Sequence, residues 1–309
     1  MERLGYGTGV GVYLMERSPR ISGEMRSPWA IKKISKLRDT KKTYVVRLEH
    51  EAKILKQLNH PNIIGFRGFG KPGSDAAYLA MEKASGCLGD LIEKRFDEFV
   101  NNCETEIIPA SDPFPAEKIL KVAEDVAKAL TYLHDEVKMI HGDMKSANVL
   151  VFGDFETIKL CDFGVSRKIR EDGTIEGDYV GTEIWSPLEI ARKQRSLPHE
   201  PITAKVDIYP YGLTLFEMIS LKPPHLPTVE DAYGSDETFD EETFEDTLAE
   251  CIGTRPMLPD IEFDSSYHKI LALFFCCTEE SPLQRPDARD ILKVFTEDEL
   301  VTACSKVTI

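Results

Sequence analysis

Two short stretches of the chain carry residue types that can act together on one reacting bond. The stretch HGDMKSAN places a carboxylate (Asp143), an ammonium (Lys145) and an amide (Asn148) on one loop. A second carboxylate, Asp162, follows residues 149–160, whose pattern predicts a β-hairpin. Such a set can accept a proton from an attacking hydroxyl, offset the charge of a moving phosphate and hold Mg²⁺. The inventory therefore indicates phosphoryl transfer from ATP.

A glycine-rich stretch near the start of the chain could lie against phosphates. Residues 4–13 alternate apolar residues with glycines, as a strand–turn–strand does. Glycine lets a backbone approach a phosphate because no Cβ stands in the way. A flexible hairpin without a ligand is the alternative reading of this stretch alone.

A strand and a helix follow that could place a cation and its partner. WAIKKI reads as a β-strand, and strand alternation puts Lys32 and Lys33 on opposite faces. From residue 43 to 58 the apolar side chains recur at helical spacing. Glu51 lies beside that apolar stripe, whereas Glu49 points elsewhere on the helix and is expected to be solvated.

These elements, in this order, resemble the protein kinase family. HGDMKSAN resembles the catalytic loop H-R-D-L-x-x-x-N, with Gly142 in place of the arginine, and residues 162–164 match D-F-G. WAIK resembles V-A-I-K, and Glu51 resembles the glutamate of the kinase αC helix. The resemblance covers the chain from Leu4 to about Phe295.

The resemblance implies a catalytic role for four residues. Lys32, paired with Glu51, would contact the α- and β-phosphates of ATP. Asp143 would be the catalytic base, and Lys145 would neutralise charge on the transferred phosphate. On the strand, Lys32 rather than Lys33 is chosen because it shares the face of the residue that would lie on the adenine side.

The resemblance also implies two cofactors, ATP and Mg²⁺. Asn148 and Asp162 would be the magnesium ligands. Met81 would be the gatekeeper beside the adenine, and the hinge after it would bind the adenine edge through backbone groups. The residues that would contact ATP, besides Lys32, are Leu4, Gly5, Gly7, Val12, Ala30, Met81, Glu82, Lys83 and Ala84.

An activation segment and a scaffold are implied in the same way. The segment would run from Asp162 to Glu189, and its candidate regulatory or substrate-contacting residues are Ser166, Thr174, Tyr179 and Thr182. The residues expected to be structural are His141, Phe163, Glu189, Asp207 and Arg285. Glu189 would pair with Arg285, and Asp207 would brace the catalytic loop.

The expected fold class is α+β, in the two-lobed arrangement of protein kinases. A small five-stranded β lobe with the αC helix would occupy residues 1–82, and a larger, mainly α-helical lobe residues 83–296. Residues 297–309 would form a C-terminal tail, whose apolar last residue a PDZ groove could accept; a frayed terminus is the alternative. An acidic insertion at 230–250 has no Lys or Arg, so repulsion predicts an extended, mobile loop that is either solvated or a docking surface for basic partners.

Composition narrows the class of protein. With 309 residues, 42% of them hydrophobic, the chain is long enough for one large or two moderate cores. A formal net charge of −15 argues against nucleic acid or an anionic membrane as the main partner. Seven cysteines without a C-x-x-C pair fit reduced thiols, so a cytoplasmic or nuclear location is expected. No apolar run is long enough for a transmembrane helix.

The predicted function is that of a Ser/Thr protein kinase. Lys145 two residues after Asp143, together with Thr182, is typical of Ser/Thr kinases, whereas the run DFGVS is also seen in the dual-specificity MAP-kinase kinases. The resemblance implies stress-type MAP kinases and mitotic proteins as candidate substrates. Because Gly142 lacks the guanidinium that grips an activation-loop phosphate, activity should depend little on phosphorylation of that segment. The alternatives are a pseudokinase scaffold and a small-molecule phosphotransferase.

Overall fold

The N-terminal part of the chain forms an antiparallel β-sheet. The computed structural model describes residues 2–7, 10–19, 26–34, 41–71, 77–102, 111–225 and 241–296. The strands of the sheet are β1 (Arg3–Gly7), β2 (Val10–Arg17), β3 (Arg26–Ile34), β4 (Phe66–Gly70) and β5 (Tyr78–Glu82). Their order is β1-β2-β3-β5-β4. Met81 pairs in register with Ala30, and Val12 with Lys32, so β3 lies between β5 and β2 at the centre of the sheet.

One helix, α1 (Lys41–Leu55), packs beside this sheet. Leu48, Ala52 and Leu55 recur on one face of it and are buried. The helix ends three residues before the predicted end at residue 58, and the amides of Gln57 and Leu58 both donate to the Ile54 carbonyl in the turn that follows it. The strand predicted to begin at Trp29 begins earlier, at Arg26.

The C-terminal part of the described chain is mainly helical. Its helices are α2 (Leu88–Asn102), α3 (Ala116–Thr131), α4 (Leu188–Gln194), α5 (Lys205–Ser220), α6 (Glu241–Cys251), α7 (His268–Cys277) and α8 (Ala288–Thr296). Short strands complete it: β6 (Gly86–Cys87), β7 (Met139–Ile140), β8 (Val149–Phe152), β9 (Thr157–Leu160) and β10 (Arg167–Lys168). β6, β8 and β9 form a three-stranded sheet, and β7 pairs with β10.

Helices α3 and α5 form the centre of this larger lobe. The apolar stripe of α3 is buried, from Ile119 to Leu130. After Thr131 the α-helix gives way to a π-helical turn at Tyr132–Val137, which Lys138 ends in a left-handed conformation. Helix α5 is buried from Val206 to Ser220, so it can hold side chains of the site rigidly.

The prediction of an extended loop across the acidic insertion is wrong for its second half. Residues 226–240 lie outside the described part of the chain, but Glu241–Cys251 form helix α6. Residues 241 and 242 are acidic and stand in the first turn of this helix, where the helix dipole favours negative charge. Arg195 donates to the carbonyl of Ala249 at 2.5 Å and ties the helix to the residue after α4.

The two-lobed α+β prediction is confirmed by the small antiparallel sheet with α1 and the larger helical lobe. The exact domain boundaries stay predictions, and the predicted tail at 297–309 lies outside the described residues. Within the described part of the chain, every helix is too short or too polar to cross a lipid bilayer.

Candidate active site

The cation predicted for the site, Lys32, lies between two carboxylates. Strand β3 carries Lys32, and helix α1 brings Glu51 to it, so that Lys32 Nζ lies 2.8 Å from Glu51 Oε2. The same Nζ lies 2.9 Å from Asp162 Oδ1. Glu51 is buried, whereas 40% of the Asp162 side chain stays exposed. The carboxylate of Asp162 is therefore the member of this trio that a ligand can reach.

A single ammonium does not fully satisfy both acids. Burial alone would lower the pKa of Lys32, but the charges of Asp162 and Glu51 raise it above its ordinary value. Burial raises the pKa of Glu51 to about 7 in spite of the nearby cation. For Asp162 burial works in the same direction, yet Lys32 outweighs it and lowers the pKa. Glu51 Oε1 has no hydrogen-bond partner among the described residues, so the buried end of this trio is incompletely bonded.

The predicted base, Asp143, is held by residues of its own loop and of the activation segment. Lys145 Nζ lies 3.1 Å from Asp143 Oδ2, and Asn148 Nδ2 donates to the same oxygen at 3.1 Å. Thr182 donates to Asp143 Oδ1 through its hydroxyl at 2.6 Å and its amide at 3.0 Å. Lys145 also donates to the Thr182 hydroxyl at 2.6 Å. The Asp143 carboxylate is thus held in place at both of its oxygens.

The predicted magnesium ligands are suited to that ion. Asn148 uses its NH₂ group on Asp143, which turns its amide oxygen away toward other partners. Asp162 uses one carboxylate oxygen, Oδ1, in the ion pair with Lys32, and its second oxygen takes no part in that pair. The amide of Cys161 donates to the Asn148 carbonyl at 3.0 Å, so the residues flanking the β8–β9 hairpin lie side by side. Mg²⁺ prefers oxygen ligands and accepts one or two from protein beside phosphates and water, so this pair fits.

Asp207 of α5 holds the catalytic loop from beneath. Its Oδ2 accepts from the His141 amide at 2.7 Å and its Oδ1 from the Gly142 amide at 2.9 Å. His134 Nε2 lies 2.8 Å from Oδ2 and fills the remaining side of the carboxylate. The His141 ring lies 2.8 Å from the Cys161 carbonyl and meets the Phe163 ring edge-on at 5.0 Å. These contacts join His141, Phe163 and Asp207 in one buried network beside the loop, and their structural roles stay predictions.

The second scaffold pair is fully buried. Arg285 donates to both oxygens of Glu189, at 2.7 and 2.9 Å. Only 0% and 1% of the two side chains are exposed. The pair ties the end of the activation segment, at the start of α4, to the loop before α8.

Sequence reasoning missed Glu217, which braces the site from the other end of α5. Its carboxylate accepts from the Ser146 hydroxyl at 2.6 Å and from Trp185 Nε1 at 3.0 Å. It therefore joins the catalytic loop to the activation segment. Burial raises its pKa to about 7. A lone acid in the otherwise apolar run LTLFEMIS was the signal that could have identified it.

The four activation-segment candidates have different surroundings. Ser166 is buried, and its hydroxyl donates to the His141 carbonyl at 2.8 Å. Thr174 donates to Asp172 at 2.7 Å near the surface. Burial raises the pKa of Tyr179 well above its ordinary value. Thr182 is the one of the four that contacts the predicted base.

The predicted ATP contacts lie on β1, β2, β3 and β5. Gly5 pairs with Val12 and Gly7 with Val10, while the tip of the glycine-rich turn, residues 8–9, is outside the described chain. Leu4 and Val12 are half-buried on the first two strands, and Ala30 is buried on β3. Lys83 and Ala84 follow β5 and are half-buried.

At the hinge, a backbone hydrogen bond limits which group of Glu82 could contact adenine. The amide of Glu82 donates to the carbonyl of Gly65 at 3.0 Å. Glu82 can therefore offer adenine at most its carbonyl oxygen. Met81, the predicted gatekeeper, is 6% exposed and packs in the main core.

Comparison with known proteins decides the family. Residues 1–295 match the family model described as "Protein kinase domain". This chain is a member of the protein kinase family. Its predicted membership is thereby confirmed, and with it kinase activity and the use of ATP as the phosphoryl donor.

Three known protein kinases are similar in sequence to this one. It is 45% identical over 305 residues to the human lymphokine-activated killer T-cell-originated protein kinase, covering 96% of this chain and 89% of that protein. It is 24% identical over 249 residues to the serine/threonine-protein kinase STY17 of Arabidopsis thaliana, covering 80% of this chain and 36% of that protein. It is 26% identical over 276 residues to the kinase and exchange factor for Rac B of Dictyostelium discoideum, covering 86% and 21%. The individual site roles stay predictions.

Proposed function

We propose that this kinase transfers the γ-phosphate of Mg–ATP to Ser or Thr hydroxyls of proteins, with Asp143 as the base. One observation carries the proposal: the Asp143 carboxylate is held by Lys145, Asn148 and Thr182 in one cluster. A carboxylate fixed in this way, beside a cation, is suited to orient a hydroxyl and receive its proton.

In the proposed reaction each charged residue has a separate role. The substrate hydroxyl gives its proton to Asp143 as its oxygen bonds to the γ-phosphorus, and the bond from that phosphorus to the bridging oxygen breaks to release ADP. Lys145 offsets charge on the moving phosphoryl group, and Lys32, fixed by Glu51, holds the phosphates that stay behind. Bound Mg²⁺, held by Asn148 and Asp162, would neutralise phosphate charge.

The finer class of the enzyme is proposed from resemblance. The run DFGVS and the 45% identity to the human T-cell-originated kinase support a MAP-kinase-kinase-like enzyme, with dual specificity open. We propose MAP kinases and mitotic proteins as substrates, in the cytoplasm, the nucleus or both. A PDZ domain is a further proposed partner, through the C-terminal residues that lie outside the described chain.

A phosphate-transfer assay tests the proposal. Purified protein is given radiolabelled ATP and Mg²⁺ with protein, peptide and small-molecule acceptors. We expect label on peptide Ser or Thr, and a loss of about 10³-fold in kcat for Asp143→Asn with ATP binding kept. The matched control is Asp154→Asn, which removes a charge from an acid that is 81% exposed.

Other outcomes separate the rival functions. ATP binding without label transfer from the wild-type protein would establish a pseudokinase scaffold. Label on small molecules alone would establish a small-molecule phosphotransferase. Equal turnover by wild type and Asp143→Asn would remove Asp143 from its role.

A further inference from the structure

The side chain of Glu82 bonds to three residues in two separate segments, Gly65 and Arg67 in one and Lys159 in the other. Its Oε1 accepts from the Gly65 amide at 2.9 Å and from Lys159 Nζ at 2.5 Å. Its Oε2 lies 3.3 Å from Arg67 Nη2. Only 17% of the Glu82 and Lys159 side chains is exposed, so this bond is largely shielded from water. A half-buried carboxylate with three donors is stronger than a surface ion pair.

The backbone under the carboxylate is shaped to admit it. A Cβ on Gly65 would lie 3.2 Å from both Cδ and Oε2 of Glu82. That is tighter than ordinary van der Waals contact, so a side chain at residue 65 would have to displace the Glu82 carboxylate by a few tenths of an ångström. The Glu82 amide also donates to the Gly65 carbonyl at 3.0 Å, and the two residues therefore bond reciprocally.

The residues joined at Glu82 connect the small lobe, the hinge and the larger lobe. Glu82 is the last residue of β5 and the first of the hinge. Residues 62–64 are bonded to β9 of the larger lobe: Leu160 donates to the Asn62 carbonyl and Ile64 to the Leu160 carbonyl, each at 2.9 Å. Lys159 lies on β9 itself, with its ammonium 5.1 Å from the centre of the Phe152 ring.

We propose that Glu82 is a positioning residue that clamps the hinge of this kinase. By joining the end of β5 to Gly65 and Lys159, its carboxylate fixes the angle between the lobes in which Lys32 reaches both Glu51 and Asp162. The clamp thereby pre-organises the nucleotide site, and nucleotide binding no longer bears the cost of ordering the hinge. The inference rests on the proposed ATP site at the hinge.

A double-mutant cycle on Glu82 and Lys159 tests the clamp. The variants are Glu82→Gln, Lys159→Met and the double variant, and the probe is the non-hydrolysable nucleotide AMP-PNP with Mg²⁺, measured by calorimetry. We expect each single variant to weaken binding by about fivefold and the double variant by no more than the singles, because both remove the same bond. Peptide kinetics should show a raised KM for ATP with kcat changed by less than about twofold.

The matched control is Glu49→Gln. Glu49 forms an ion pair with Lys71 at 2.7 Å that joins α1 to the residue after β4, entirely within the small lobe. Nucleotide affinity should not change in this variant. Amide hydrogen exchange is a second measurement, and it remains informative if a variant is less stable because it reports on the hinge locally. Protection at residues 83–86 should fall in Glu82→Gln and partly return in Glu82→Asp.

Contrary results are distinct for the clamp and for the site. Unchanged AMP-PNP affinity and hinge exchange in Glu82→Gln, or additive losses in the double variant, would overturn the clamp while leaving the nucleotide site intact. Failure of the wild-type protein to bind AMP-PNP would overturn the site, and with it the reason for a clamp.

Discussion

Two buried ion clusters of this kinase differ in how completely they are bonded. Around Arg285 every donor is used: both Glu189 oxygens accept from it, and so do the carbonyls of Glu279, Glu280 and Lys205. Around Lys32 one ammonium faces two acids, and one oxygen of Glu51 has no partner in the described part of the chain.

The difference separates scaffold from chemistry. A buried pair that satisfies itself has no reason to bind a ligand, and breaking it leaves an uncompensated charge that destabilises the fold. A cluster that is short of positive charge and partly exposed can bind a metal ion with phosphates, and it keeps this capacity at some cost in stability. The Arg285 cluster should therefore govern the stability of the fold, whereas the Lys32 cluster should govern activity.

The largest expected effect is on activity at Lys32. Lys32→Met removes the ammonium that is proposed to hold the phosphates, and we expect turnover to fall about 10³-fold. The free energy of unfolding should change by less than about 2 kcal/mol, because Glu51 can take up a proton. Peptide phosphorylation and urea unfolding measure the two effects. Unfolding of this variant at room temperature would contradict the assignment of the cluster to chemistry.

The opposite pattern is expected at Arg285. Arg285→Met leaves the Glu189 carboxylate buried without a cation, which should cost about 3–5 kcal/mol in the free energy of unfolding. Activity per folded molecule, corrected by active-site titration, should fall much less. The control is Arg289→Met, which removes an arginine whose side chain is 66% exposed. A stable but inactive Arg285→Met would reverse the comparison.

Glu217 sharpens the comparison because it is a scaffold acid without a cation bonded to it. Its folded pKa of about 7 lies above the ordinary value of 4.5, so its proton stabilises the fold below pH 4.5 and this stabilisation is lost as the pH rises through 7. Between pH 5 and 7.5 the wild type should lose about 1–3 kcal/mol more stability than Glu217→Gln. Urea midpoints at the two pH values measure this. Parallel pH profiles would show that Glu217 is ionised throughout.

The smallest expected effect is that of phosphorylation. The activation segment is bonded to the larger lobe without a phosphate: the Ile169 amide donates to the Lys138 carbonyl and the Ile175 amide to the Ile202 carbonyl. Gly142 supplies no arginine to grip a phosphate, and its φ of +83° favours glycine. Phosphatase treatment should thus change peptide turnover by less than about twofold. Near-complete loss of turnover would refute this.

Local patterns were enough to predict much of the fold and the site. The Lys32–Glu51 and Glu189–Arg285 contacts were expected from residue types and motif order, and both are present. The missed features depend on distances that no local pattern records. Glu82 was expected to serve adenine through its backbone, whereas its side chain meets Lys159, 77 residues away.

The error at α6 has a related cause. Counting charges between residues 230 and 250 predicted repulsion, but the count ignored where along a helix those charges would lie. Helix α6 also has a tertiary anchor in Arg195, which sequence reasoning could not assign to it.

The hydroxyl of Ser166 is buried against the catalytic loop and supports that loop by donating to the His141 carbonyl. No other enzyme can modify it until that loop lifts. A phosphate found on Ser166 would therefore show that the loop had opened in that molecule.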